Sequence, residues 1–499
     1  MRKAHGIACL LVVSLAAGAR AAPGGDSRDT LDSAVWLLKK TTLVHRDGTH
    51  NILLRALRQL RDPALEPLFG ALAQKRTADL RTHGILGLAE ISATGRLDLA
   101  LVMDIKDPGT QARLVSAAIE NDLLDLEQGR QLLTWPGLET PVKLIVAAQL
   151  AAAGKLKDQA ALDAGVKSDN LALRGLAATI QLQLGESAGA THLQSILESK
   201  DTGRDNACLF ILQTAVRHEF AVIGPWALKL ASGGSENRTL DLLSLQAALR
   251  FGATGAVDQW QQQFAATSST ADRIRLSLTA LSVAEHVAPA AFAAMAKDEA
   301  ELIQRIGAAG YAVAGKQPAA EPILKLLEMN HTLANRWALQ HARRIPIEQA
   351  TPLLAGLVLN AEGKPNPTRF RAERLENAVR AVRDLAERSP RPGALFANLF
   401  AQVPELSQEA MLMGLITSRA ESPRTLLEGV RIESPTGQAL ATLLKARHGP
   451  APAAGELSQL GLIARGGAGL QEPLRVQAAW LYLKWARQEK FALASVLDK

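Results

Sequence analysis

Few side chains in this 499-residue chain stand at spacings that chemistry uses. Gly185-Glu186-Ser187-Ala188-Gly189 fits G-x-S-x-G, in which a tight strand-to-helix turn lifts a nucleophilic Ser clear of the backbone. The run before it, Leu171 to Leu184, carries its apolar residues at helical spacing, so Ser187 reads as an ordinary turn residue. His218-Glu219 begins as a zinc-binding H-E-x-x-H helix would, but Val222 occupies the second ligand position. His45 and His50 flank the turn-like Arg46-Asp47-Gly48-Thr49 with no third ligand nearby, and His331 and His341 fall on different faces of one helix. There is no C-x-x-C, calcium loop, P-loop or G-x-G-x-x-G, and Gly466-Gly467-Ala468-Gly469 follows no strand. No metal, cofactor or catalytic residue is expected.

The elements that would position such groups must be helices. Apolar residues make up 47% of the chain but aromatics only 4%, so the core is built from Ala, Leu, Ile and Val, which suits closely packed helices. Met1-Arg2-Lys3, the apolar run Ile7–Ala17 and Ala19-Arg20-Ala21 have the three parts of a secretory signal peptide, with cleavage expected after Ala21. The run is too short to span a bilayer, and Cys9 lies inside it instead of just after it, where a lipid-acceptor cysteine belongs. The mature chain then carries 53 basic and 49 acidic residues, too even a balance to argue for nucleic acid. Cys208 is left as its single cysteine, a small buried hydrophobe within Ala207–Leu212.

From residue 29 onward, apolar runs of helical period alternate with breaks near Asp62, Gly95, Asp122, Gly154, Gly185, Glu219, Gly252, His286, Gly315 and Ile345. Intervals of 27–34 residues with two runs each predict a solenoid of helix pairs. A basic residue recurs near the start of each second helix: Arg113, Lys143, Arg174, Arg204, Arg238, Arg273, Arg305 and Arg336. Most follow an acidic or amide residue, among them Asp107, Glu139, Asp169, Asp201, Asp272 and Asn330, able to cap the helix or pair with a basic neighbour. Arg174 is expected to bond Asp169 or an adjacent repeat. The unit from Ser168-Asp169-Asn170 through Leu173-Arg174 and an Ala-rich run to Leu184-Gly185 resembles the HEAT repeat, including the short variant of bilin lyases. That resemblance implies stacked helix pairs serving as an interaction surface. A tetratricopeptide array fits less well, since the seven Trp share no phase with the ladder.

Regularity lapses at Leu359–Phe370, around Glu362-Gly363-Lys364-Pro365-Asn366-Pro367, and again at Gly449–Pro473. Arg431-Ile432-Glu433-Ser434 looks like the Glu-Ser catalytic start of soluble lytic transglycosylases, in which Glu433 would be the general acid. Where their Gly-Leu-Met-Gln segment would follow, this chain has Lys445-Ala446-Arg447-His448-Gly449, a departure that leaves the activity unsupported. Arginines 369, 371, 374, 380, 383, 388 and 391 interleave with acids, as in the pairs Glu376–Arg380, Arg380–Asp384 and Arg383–Glu387, and read as a self-neutralised helix face. Trp480, Tyr482 and Trp485 read as the core of a capping repeat.

The expected protein is an all-α, HEAT-like α-solenoid. A signal peptide (1–21) and a flexible segment (22–29) precede regular repeats over 30–360, an exposed loop (361–368), and divergent repeats or a small helical domain over 369–499. Its expected role is that of an exported, periplasmic or secreted scaffold that binds a protein partner, not nucleic acid, with no integral membrane segment in the mature chain. Gln181, Arg217, His218, Arg250, Arg343 and Arg344, near the C-terminal ends of second helices, are the expected contact residues. The alternatives are a glycan-cleaving enzyme using Glu433 and a structural subunit of an envelope assembly.

Overall fold

A computed structural model describes residues 27–156, 159–233, 237–316, 320–327, 329, 331–359, 371–403, 405–418, 420 and 423–497. The expected signal peptide, Asn330 and the loop 361–368 lie outside these residues. The described residues are all-α, with helices packed in series as in an α-solenoid and no strand among them. None of their helices is long and apolar enough to cross a membrane. They form two compact units: Asp98–Ala338, and a second built from the residues up to Leu97 together with Leu339 onward. Ser27–Asp29, expected to be flexible, already belong to the first helix.

The corners share one local device. The backbone enters the left-handed region at Arg61, Gly95, Asp122, Gly154, Gly185, Glu219, Gly252 and Lys316, each at or beside an expected break. At several of these corners the next residue donates its N–H to the carbonyl five residues back. Examples are Leu123 to Ala118 (2.8 Å), Lys155 to Leu150 (2.8 Å), Glu186 to Gln181 (3.0 Å) and Phe220 to Ala215 (2.9 Å). This is the Schellman closure, which satisfies carbonyls that the helix end would orphan and tucks an apolar residue such as Leu123 or Phe220 inward.

In the Asp98–Ala338 unit the second helices include Pro108–Glu120, Thr140–Ala152, Leu171–Gln183, Arg204–His218, Arg238–Arg250, Thr270–Ser282 and Glu301–Ala314. Each packs beside the next, while the shorter first helices touch one another far less. Thr140–Ala152 even reaches Arg204–His218 past the helix between them, so the second helices crowd together along one side of this unit. Glutamines stitch successive elements together. Gln111 donates to the carbonyl of Val102 (3.2 Å), Gln149 to Leu124 (3.2 Å) and Gln304 to Asp298 (2.6 Å). Gly307 and Gly310 let the Glu301–Ala314 helix lie against Phe292 and Met295, where a Cβ on Gly310 would sit 2.3 Å from the Phe292 ring.

The basic ladder falls within the first six residues of the second helices, and its pairing is uneven. Arg238 and Arg273 reach forward to the next repeat, to Asp272 (2.5 Å) and Asp298 (3.2 Å). Arg204 and Arg305 instead pair within their own helices, with Asp205 (3.7 Å) and Glu301 (3.1 Å), and Arg113 donates to the Gly109 carbonyl. The expected Arg174–Asp169 bond is not made among the described residues. Asn170, not Asp169, caps the Leu171–Gln183 helix by accepting from the amides of Ala172 and Leu173, and the Arg174 Nε is buried without a partner. Lys143 is the fourth residue of Thr140–Ala152 and Arg336 the fifth of Thr332–Ala342.

In the other unit, the helices from Ile347–Leu359 to Glu489–Leu497 stack in chain order and then continue onto the first helices of the chain. Ser27–Thr41 packs on Ala454–Arg465, Glu472–Trp485 and Glu489–Leu497, and Thr49–Arg58 packs on Glu472–Trp485. One core unites Leu37, Leu53, Phe69, Trp480, Leu483 and Val496. Trp480 is therefore not the core of a free capping repeat: its Nε1 donates to Asp62 (2.9 Å), which also accepts from Lys484 (2.8 Å) and the amide of Ala64 (3.1 Å). Gln477 and Arg447 add bonds to the carbonyls of Ala56 (2.9 Å) and Gln59 (2.7 Å). Residues 369–499 thus share a unit with the start of the chain.

Candidate functional site

The residues expected to contact a partner fall into two groups. Gln181, Arg217, His218 and Arg250 belong to the Asp98–Ala338 unit, and Arg343 and Arg344 to the other. In the first unit each side chain stands in the last turn of a second helix, where a cation complements the partial negative charge of the helix end. Crowding of the second helices then brings distant ends together. Arg217 lies 3.0 Å from Glu120, the last residue of Pro108–Glu120, although two second helices intervene in sequence. Arg250 lies 3.3 Å from Glu219, the left-handed residue of the preceding corner.

His218 stacks on Phe220 with ring centroids 5.6 Å apart. Its burial, and then the charge of Arg217, push its pKa down to about 4, so it is neutral at pH 7. Gln181 is buried, with its side-chain oxygen unpartnered, and does not offer itself to solvent. The row is therefore a self-bridged edge in which Arg217 is the exposed cation and Gln181 belongs to the interior.

Arg343 reaches Asp384 (3.2 Å) and Glu387 (3.4 Å) on the Arg371–Arg388 helix. Arg388 completes that cluster by bonding Asp384 (2.5 Å) and the carbonyls of Ala342 (3.1 Å) and Ile345 (2.5 Å). Burial outweighs these cations and raises the Asp384 pKa. Arg344 is exposed at the turn after the Thr332–Ala342 helix. Sequence reasoning missed the pairing of Glu120 with Arg217 and of Glu219 with Arg250, and it set Asp384 and Glu387 against arginines of their own helix instead of Arg343. The available signal was their own position at helix ends or on the facing helix, at the same register as the arginines.

Ser187, Glu433, Cys208 and His50 lie apart in the fold. Ser187 stands exposed at the start of Ala188–Leu197, in a helix-to-helix turn whose left-handed step is Gly185 (φ 87°). Glu433 is 59% exposed and paired with Arg431 at 3.1 Å, while Ser434 caps Pro435–His448 through the amide of Gly437 (2.9 Å). Cys208 is buried, and burial pushes its thiol up to about 11, far from thiolate chemistry at neutral pH. The His50 Nδ1 accepts the amide of His45 (3.2 Å), and its Nε2 faces Asp79 at 3.6 Å. No group of three metal-binding side chains converges among the described residues. A shallow, open depression of about 400 Å³ is lined by Glu348, Ser389, Arg391 and Asn398. No family model matches the chain, and no curated protein or solved structure matches it.

Proposed function

We propose that this protein is an exported, non-catalytic scaffold of the HEAT-repeat type that binds a protein partner along the surface formed by its second helices. The observation that supports this reading is the register of those helices. Successive repeats present equivalent positions side by side, with a basic residue near the start of each second helix and a cation such as Arg217 at the far edge. Such a surface offers many modest contacts instead of one pocket, as expected of a scaffold. Export rests on the Met1–Ala21 pattern alone.

The test is capture from the native envelope with the natural protein and with Lys143→Glu/Arg174→Glu, both purified and checked for unchanged helicity. A partner retained by the first and lost by the second, more weakly retained as salt rises, supports the reading. A partner held equally by both rejects this face. Glycan release that is abolished by Glu433→Gln would overturn the non-catalytic assignment in favour of glycan cleavage with Glu433 as the general acid.

A further inference from the structure

The Ser27–Thr41 helix carries a stripe that the other described residues leave uncovered. Trp36 is 57% exposed, and Leu43, Val44 and Ile52 are equally open, so four of the seven large exposed apolar side chains among the described residues lie between positions 36 and 52. At about 100° per residue, Asp29, Asp32, Lys39 and Lys40 all project within about 60° of the Trp36 direction. Charge is distributed unevenly about Trp36, with both acids toward the N-terminus and both lysines toward the C-terminus. Lys40 is held by Glu472 (2.5 Å) and lies over the Trp36 ring at 5.6 Å. The side chains of Asp29, Asp32 and Lys39 make no ion pair among the described residues.

We infer that this stripe binds a second copy of itself, with the two helices antiparallel and Trp36 packed against its counterpart on the two-fold axis. A two-fold contact is self-complementary: whatever lies a given distance to one side of the axis faces what lies equally far to the other. Asp32 stands about 6 Å before Trp36 along the helix and Lys39 about 4.5 Å after it, on the same flank of the stripe. The antiparallel arrangement therefore sets Asp32 of each copy against Lys39 of the other, with Leu43 and Val44 closing the ends. The exposed Asp29 and Asp32 select against an anionic lipid surface, which they would repel. A contact of this size makes an exchanging dimer, not an obligate one.

Sedimentation velocity of the natively produced full chain over a wide concentration range tests the inference. A reversible dimer is expected, with Trp36→Ala weakening it by roughly tenfold or more, as truncation of a central aromatic does. Asp32→Lys and Lys39→Asp should each weaken it, and the combined swap should restore it. These positions are on the surface, so unchanged circular dichroism secures folding. A monomer at every concentration, a dimer indifferent to Trp36→Ala, or a double swap as weak as the single changes overturns the inference. So does a monomer that co-sediments with phosphatidylglycerol vesicles through Trp36, which would make the stripe a lipid contact.

Discussion

The guanidinium of Arg273 lies 3.2 Å from the carboxylate of Asp298, an acid only 3% exposed that also caps Ala300 (2.9 Å), so this ion pair ties one repeat to the next. Removing Arg273 leaves a buried acid without its cation. Arg273→Ala is expected to cost about 2–3 kcal/mol, whereas Arg174→Ala, which breaks no ion pair, should cost less than about 1 kcal/mol. Urea denaturation of both variants checks this; equal losses would mean that the two positions of the ladder do the same work.

Stability should rise with pH through the weakly acidic range. Burial, and then the charges of Arg58 and Arg55, bring the pKa of His83 down to about 3, and burial brings that of His218 down to about 4. Between these values and the unfolded value of about 6.5, the unfolded chain binds more protons than the folded one. Stability is therefore full above pH 6.5 and falls as pH drops toward 4. Denaturation midpoints at pH 4.5, 5.5 and 7 measure the slope, and His83→Gln, which keeps an acceptor for Arg58, should flatten it.

Asp62 joins the start and the end of the second unit. Trp480, Lys484 and Ala64 all donate to its carboxylate, whose pKa is lowered by the Lys484 and Trp480 hydrogen bonds despite opposing burial. Asp62→Ala should lower stability by about 2–3 kcal/mol, and Asp62→Asn, which retains an acceptor, by less. Hydrogen exchange should show the loss in the Ser27–Thr41 and Glu472–Trp485 helices together. Loss in one alone would separate the two ends.

Arg61 and Lys316 hold left-handed backbone (φ 49° and 52°) with side chains suited to other regions. Replacing either with Gly should raise stability by about 0.5–1 kcal/mol. Arg61→Gly should give the larger gain, because Arg61 also lowers the pKa of the nearby Arg447 through like-charge repulsion. Thermal melts decide it, and a lower melting temperature in both variants would refute strain at these corners.

The corners were legible because each is a local event: Gly95, Gly154, Gly185 and Gly252 announce the left-handed step, and Asp122 and Glu219 stand where the period requires it. The placing of the ladder near the helix starts was legible for the same reason. Its partners were not, since the reach of Arg238 to Asp272 depends on the stagger between repeats, and the choice of Asn170 over Asp169 depends on a shift of one residue. The meeting of Trp480 with Asp62 spans 418 positions, and a periodic pattern carries no information about which distant repeats touch.

That meeting also sets an order of events in biosynthesis. The helices Ser27–Thr41 and Thr49–Arg58 are made long before Glu472–Trp485, yet the surface that buries Leu37, Leu38 and Leu53 includes Val476, Trp480 and Leu483. Until those residues emerge, the early helices have an open apolar face, while the Asp98–Ala338 unit already has all of its own repeats. A segment synthesised early is thus among the last to complete its core, and until then its open apolar face calls for a chaperone's cover.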